Sequence, residues 1–166
     1  MPALKLQAAT PRDASAIAAL RNTGADHLTS QFGKGFWSGH VTEKGVLLDM
    51  RRGTVYVAKQ NRKIVATLNL STRKPWAIDK SYFHPSRQPL YLTNMAVAPE
   101  EQRKGVGRHC LDEARRIAKS WPADAIRLDA FDDPAGAGPF YAKCGMSEVG
   151  RATYRQAPLI YFELLL

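Results

Sequence analysis

The sequence predicts one mixed α/β domain over residues 1–166, built on a mostly antiparallel sheet flanked by helices. Three observations predict it. Apolar residues alternate with period two in paired runs toward both ends of the chain, as hairpins do. One strongly amphipathic segment, residues 106–119, stands between two strand-like runs and reads as a crossover helix. The chain has 166 residues, 45% hydrophobic and 23% charged, which suits a single globular domain and excludes a mainly disordered or collagen-like one.

Leu4-Lys5-Leu6-Gln7-Ala8 alternates and reads as the first strand. Thr10, Pro11 and Asp13 follow as cap, first helical residue and capping-box acid. Ala14, Ile17, Ala18 and Arg21 continue at helical spacing. Residues 23–52 carry glycines at 24, 33, 35, 39 and 45 and are expected to form one or two short helices, the better over 41–50. Residues 54–59 and 63–70 form a hairpin turning at Gln60-Asn61-Arg62. A long loop, 71–88, carries Trp76, Tyr82 and Phe83; loops of this length inside a domain are often functional. Residues 89–98 form a strand that Pro99 ends, and a turn over 100–107 opens the amphipathic helix. Its apolar face holds Val106, Cys110, Leu111, Ala114, Ile117 and Ala118. Residues 125–131 are a strand, 138–143 a short helix stopped by Gly145, and 147–154 and 159–166 two closing strands around Ala157-Pro158.

Several function classes drop out. No apolar run approaches the roughly 20 residues a bilayer needs; the segment 159–166 is short and holds Glu163. The N-terminus alternates and meets Pro11 early, unlike a signal peptide. Two cysteines, Cys110 and Cys144, make no disulfide framework, so a cytoplasmic location is expected. The four histidines show no metal-ligand spacing and no G-x-S-x-G elbow exists, so neither a metal site nor a serine hydrolase is expected. The net charge of +9 favours polyanions, but the basic residues are scattered and no nucleic-acid motif accompanies them.

The segment from Met95 to Arg108 is the most informative. A strand runs into a turn with Gly105-x-Gly107, which opens the helix. Glycines let backbone approach a ligand, and the first turn of a helix offers free N–H groups and the positive end of its dipole. Together they suit a pyrophosphate, with Arg103, Lys104 and Arg108 adding charge. The structural alternative is that both glycines only permit a tight turn. No lysine–hydroxyl pair follows Gly107, which excludes a P-loop, and Cys110 stands where a dinucleotide fingerprint needs a small third position.

Val97-x-Pro99, Gln102-x-x-Gly105-x-Gly107 and Phe140-Tyr141-x-Lys143-Cys144-Gly145, in this order of strands and helices, resemble the GNAT superfamily of acyl-CoA-dependent N-acyltransferases from about residue 4 to the end. The resemblance implies a splayed sheet and acetyl-CoA as cosubstrate. It implies that the strand at Met95, Ala96 and Val97 lies along the pantetheine arm. It implies that the loop Arg103, Lys104, Gly105, Val106, Gly107 and Arg108 binds the pyrophosphate. It also implies that Tyr141 protonates the departing thiolate and that Asp129 stands where some members place a general base. Many members carry an asparagine seven residues before the tyrosine; here that position is Pro134, after Asp132 and Asp133, and no cofactor contact is assigned to it.

Elementary chemistry agrees. An alkylamine has a pKa of about 10.4, so freeing its lone pair at pH 7 costs roughly 4–5 kcal/mol before bond formation. A carboxylate in an apolar strand, as Asp129 is, can take that proton. The bland alternative pairs Asp129 with Arg127 on the same strand face. Tyr141, with an ordinary pKa near 10 against about 8.5 for a thiol, is the slightly weaker acid, so hydrogen-bond support of the sulfur is part of its role. Its alternative is a ring packed beside Phe140. Candidate acceptor walls are Phe36 and Trp37, with Trp76, Tyr82 and Phe83 from the long loop, and Asp129, Asp132 and Asp133 adding negative charge for a cationic amine; the aromatics equally suit loop packing. The expected function is N-acetyl transfer to a primary amine of a small molecule or peptide, in a ternary complex, with a homodimer among the possible assemblies. The alternatives are a silent acyl-CoA sensor and a basic nucleic-acid-binding domain.

Overall fold

The computed structural model describes residues 4–166. Strand β1 (Leu6–Ala8) is followed by the expected cap, where the Thr10 N–H donates to Asp13 Oδ2 at 2.9 Å. A 3-10 turn then leads into helix α1 (Ala14–Phe32). Contrary to expectation, α1 runs through Gly24 and stops only at Gly33, with φ 81°. One interior glycine costs a helix about 1 kcal/mol, and burial of Ile17, Ala18, Leu20 and Ala25 outweighs it. A short 3-10 turn (Phe36–Ser38) and helix α2 (Glu43–Arg52) complete this region, with Thr42 Oγ1 accepting the Gly45 N–H at 3.1 Å.

Strands β2 (Thr54–Gln60) and β3 (Lys63–Ser71) form the predicted hairpin. Asn61 and Arg62 both have positive φ, as its two-residue turn requires. The closing pair, β6 (Ser147–Tyr154) and β7 (Ala157–Leu165), turns the same way at Arg155-Gln156, not around Ala157-Pro158. Pro158 lies within β7 but beyond the stretch paired with β5, which ends at Leu159, so its missing N–H breaks no β5 ladder bond. Strands β4 (Pro89–Val97) and β5 (Ala125–Phe131) are joined by helix α3 (Val106–Ser120), and α4 (Gly138–Lys143) follows β5. The sheet order is β1-β2-β3-β4-β5-β7-β6, antiparallel except between β4 and β5.

Two features of β4 shape the molecule. Its parallel pairing with β5 covers only Pro89–Tyr91 against Ala125–Arg127, and beyond that the strands part. It also carries a bulge: Asn69 opposes Thr93 but Thr67 opposes Ala96, and Asn94 has φ 53°. An extra residue reverses the in–out alternation. Leu90 and Leu92 before the bulge, and Met95 and Val97 after it, therefore all join the core beneath α3 and α4. The opposite sheet face is covered in two places, by α1 and α2 over Val55 and Val57, and by the loop 72–88 over Tyr91 and Tyr161.

Candidate active site

The parting of β4 and β5 leaves the β5-side edge of β4 beyond Tyr91 without a strand partner. Three groups meet at this opening. From α4, Tyr141 is 7% exposed and its Oη–H donates to Met95 Sδ at 3.9 Å. Met95 reaches that position because of the bulge. Burial pushes the Tyr141 phenol well above its usual range, and the nearby Asp129 carboxylate adds to the push. Asp129 itself is raised by burial alone, with no neighbouring cation or hydrogen bond to lower it. Arg127, two residues earlier, does not pair with it. The Arg127 guanidinium donates to Tyr91 Oη at 3.1 Å and His84 O at 2.7 Å, and lies 3.8 Å from Glu163.

The turn before α3 leaves its backbone N–H groups from Arg103 on free. Arg103 and Gly105 take left-handed conformations, φ 62° and 84°, which turn the chain into the helix. Among the described residues, no backbone N–H from Arg103 to Arg108 is bonded to the protein; the next, on His109, reaches Gly105 O at 3.0 Å. Gln102 Nε2 donates to Val97 O at 3.1 Å and ties this loop to the end of β4. Two further contacts stand beside the expected roles. Arg108 spends a guanidinium N–H on Lys143 O, 2.6 Å away at the end of α4, so it joins two helices. Gly107 faces the Phe140 ring, 3.0 Å from where its Cβ would be, so it is small for packing as well as for access. Lys104 lies 3.7 Å from Glu101, both at the surface rim.

The acceptor side differs most from expectation. Trp37 packs edge-on to Phe131 at 6.3 Å, and Phe36 stacks on the same ring at 6.2 Å; of these three rings, Phe131 was not among the expected walls. Trp76 is 89% exposed and does not join this cluster. Tyr82 packs against Tyr161 and covers Gly150. Asp132 is ion-paired with Arg151 at 3.2 Å, and Asp133 accepts the Ala135 N–H at 3.0 Å, so neither is a free carboxylate beside Asp129. Cys110 is buried, its thiol pushed up to about 11 by that burial, and burial raises Cys144 as well. Neither is poised as a nucleophile. Among the described residues no cluster of His, Cys, Asp or Glu could hold a metal ion, and no helix is long and apolar enough to cross a membrane.

Residues 22–146 match the model of the acetyltransferase (GNAT) family. Solved structures share the fold along the whole chain. A Streptococcus mutans protein is 20% identical, covering 97% of this chain and 98% of its own, with a TM-score of 0.74. The ribosomal-protein-alanine N-acetyltransferase of Brucella melitensis is 17% identical over 97% and 99%, at 0.72. A Salmonella typhimurium protein solved with its cofactor acetyl-CoA is 16% identical over 99% and 94%, at 0.70. No curated protein sequence matches the chain. With most of its length, its splayed sheet and its glycine turn accounted for, the chain belongs to the acetyltransferase (GNAT) family.

Proposed function

We propose that this protein moves an acetyl group from acetyl-CoA to a primary amine of a small molecule or peptide, by direct attack with both substrates bound. The observation that carries the reading is the opening between β4 and β5, with Tyr141 and Asp129 at one end and the unbonded N–H groups of 103–108 at the other. Those residues fit acetyl-CoA. The left-handed Gly105 and the loop N–H groups suit its pyrophosphate, and the unpaired edge of β4 suits an extended amide arm. Bound there, the cosubstrate supplies an activated thioester carbonyl.

The chain's own groups do the rest. Asp129, unpaired and desolvated, is a stronger base than an ordinary aspartate and takes the amine proton. A C–N bond forms as the C–S bond breaks, and negative charge grows on sulfur. Tyr141 Oη already donates to one sulfur, that of Met95, and the departing thiolate is a far better acceptor. Burial strengthens the phenol's hold on its proton, so Tyr141 acts by hydrogen-bond donation and the thiolate draws its final proton from water. The nitrogen gives up one proton before attack and a second as the amide forms; Asp129 passes each to solvent, and one of them balances the proton that the thiolate takes from water. Cys110 and Cys144 are both free thiols, as suits a reducing cytoplasm.

Calorimetry and a single variant test this. Acetyl-CoA at 100 times its dissociation constant should add about 2.7 kcal/mol to stability and raise the melting temperature by several degrees. Tyr141→Phe should keep that shift and lower kcat by roughly 10²–10³-fold, because its contact strengthens only as charge appears. No shift overturns the reading. A shift without turnover on any amine leaves an acyl-CoA sensor.

A further inference from the structure

The sheet face opposite α3 is crossed by three successive rows of side chains. In the first, Tyr91, Arg127 and Glu163 lie side by side, sealed under the loop 72–88 and bonded to one another or to His84. In the third, Phe131 lies beneath Phe36 and Trp37. The middle row is different. Asn69 pairs with Thr93, Asp129 follows two residues beyond the last β4–β5 pair, and Asp129 opposes Tyr161. Among the described residues neither Asn69 nor the half-buried Thr93 and Asp129 makes a side-chain hydrogen bond. The buried polar atoms without a partner, Arg127 Nε and Glu163 Oε2, are in the first row instead, so the middle row's polar atoms are open to a ligand from the cleft.

Resting on the acetyl-transfer reading, we propose that the middle row is the floor of the acceptor site and that the acceptor is an arylalkylamine: one primary amine on a flat apolar body. Asp129 receives the amine, Asn69 and Thr93 offer hydrogen bonds to a hydroxyl or carbonyl on the body, and the Phe36–Phe131–Trp37 group supplies the flat wall. A polyamine or a lysine-rich peptide fits less well, because the other nearby acids are already committed. Asp132 is paired with Arg151, and Asp49 accepts from Arg21 at 3.1 Å. Phe36 remains 54% exposed, an aromatic surface larger than its own packing needs.

The test compares tyramine, spermidine and a lysine peptide, both as substrates with acetyl-CoA and as ligands of the CoA-loaded protein by calorimetry. Tyramine is expected to bind and react with at least about tenfold preference over either competitor. Phe36→Ala, a change at an exposed ring that the fold should tolerate, is expected to raise the tyramine KM about tenfold, or about 1.4 kcal/mol, and the spermidine KM by less than about twofold. Trp76→Ala should change neither. Preference for spermidine or the peptide, equal effects of Phe36→Ala on all three, or no tyramine binding overturns the assignment. Preferential tyramine binding without any acetyl transfer overturns the catalytic reading and upholds the site.

Discussion

Asp129 and Glu163 face the same side of the sheet, on adjacent strands and one row apart, and the protein treats them in opposite ways. Glu163 is fully buried and surrounded: His84 Nδ1 lies 2.5 Å from Oε1, and Arg127 stands 3.8 Å from Oε2. Arg127 is fixed in turn by Tyr91, by the His84 carbonyl and by the Phe83 ring 5.0 Å away. Asp129 has no cation and no hydrogen-bond donor, and burial raises its pKa. A buried carboxylate that is neutralised holds structure together; one left bare at an open cleft retains basicity. Neighbouring rows of one sheet thus differ, one anchoring the loop 72–88 and the other leaving its polar side chains unbonded.

The largest effect should come from emptying the closed row. Arg127→Met would leave Glu163 buried without its counter-charge, at a cost of about 3–5 kcal/mol. Thermal denaturation should show a fall of ten degrees or so. The double variant Arg127→Met/Glu163→Leu should recover most of it, since apolar replacement of a buried pair is often neutral. If the single variant melts like the parent, Glu163 is not held by that arginine and the contrast with Asp129 fails.

At the bare carboxylate the signs reverse. Asp129→Asn should lower kcat/KM by roughly 10²–10⁴-fold at pH 7, with partial recovery at high pH, where free amine needs no base. Stability should move the other way. Burial raises the Asp129 pKa above its unfolded value, so its favourable share is complete only in acid, below about pH 4, and is lost as pH rises through the raised value. At pH 7 the charged carboxylate counts against folding. The variant should therefore melt higher than the parent at pH 7 and equally at pH 4. A lower melting temperature at pH 7 would mean that Asp129 is a structural acid after all.

These two rows were unequally legible in the sequence. The hairpins, the crossover helix and the strand–glycine–helix turn at 95–108 follow from local periodicity and punctuation, and the structure keeps them within a residue or two. Gly105 is in the left-handed region, as a glycine at a sharp turn suggests. The partner of Arg127 is a different matter. Glu163 lies 36 residues on, and only the antiparallel register of β7 against β5 brings the two together; spacing along one strand pointed to Asp129 instead. The β4 bulge had one faint local sign, a polar Asn94 interrupting apolar alternation in a residue type that tolerates positive φ. Phe36 over Phe131, and the unpartnered Asn69, depend on how the α1–α2 connection lies across the far end of β5. No local pattern encodes that.

The smallest expected effect also tests the division most narrowly. His84 touches the closed row twice, through its ring to Glu163 and through its carbonyl to Arg127. His84→Ala removes only the ring contact. That ring is 67% exposed, so water replaces much of what is lost, and the change should cost about 1 kcal/mol rather than the full value of a buried charged hydrogen bond. In a domain of this size the melting temperature falls by about 2–4 °C. Because the backbone carbonyl still holds Arg127, the loop stays docked, Asp129 keeps its surroundings and kcat/KM is unchanged. The two readouts together decide the matter. A small melting shift with intact turnover upholds separate duties for the two rows. A tenfold loss of kcat/KM at an unchanged melting temperature would show the ion-pair row feeding the chemistry one row away, and the two carboxylates would have to be treated as one system.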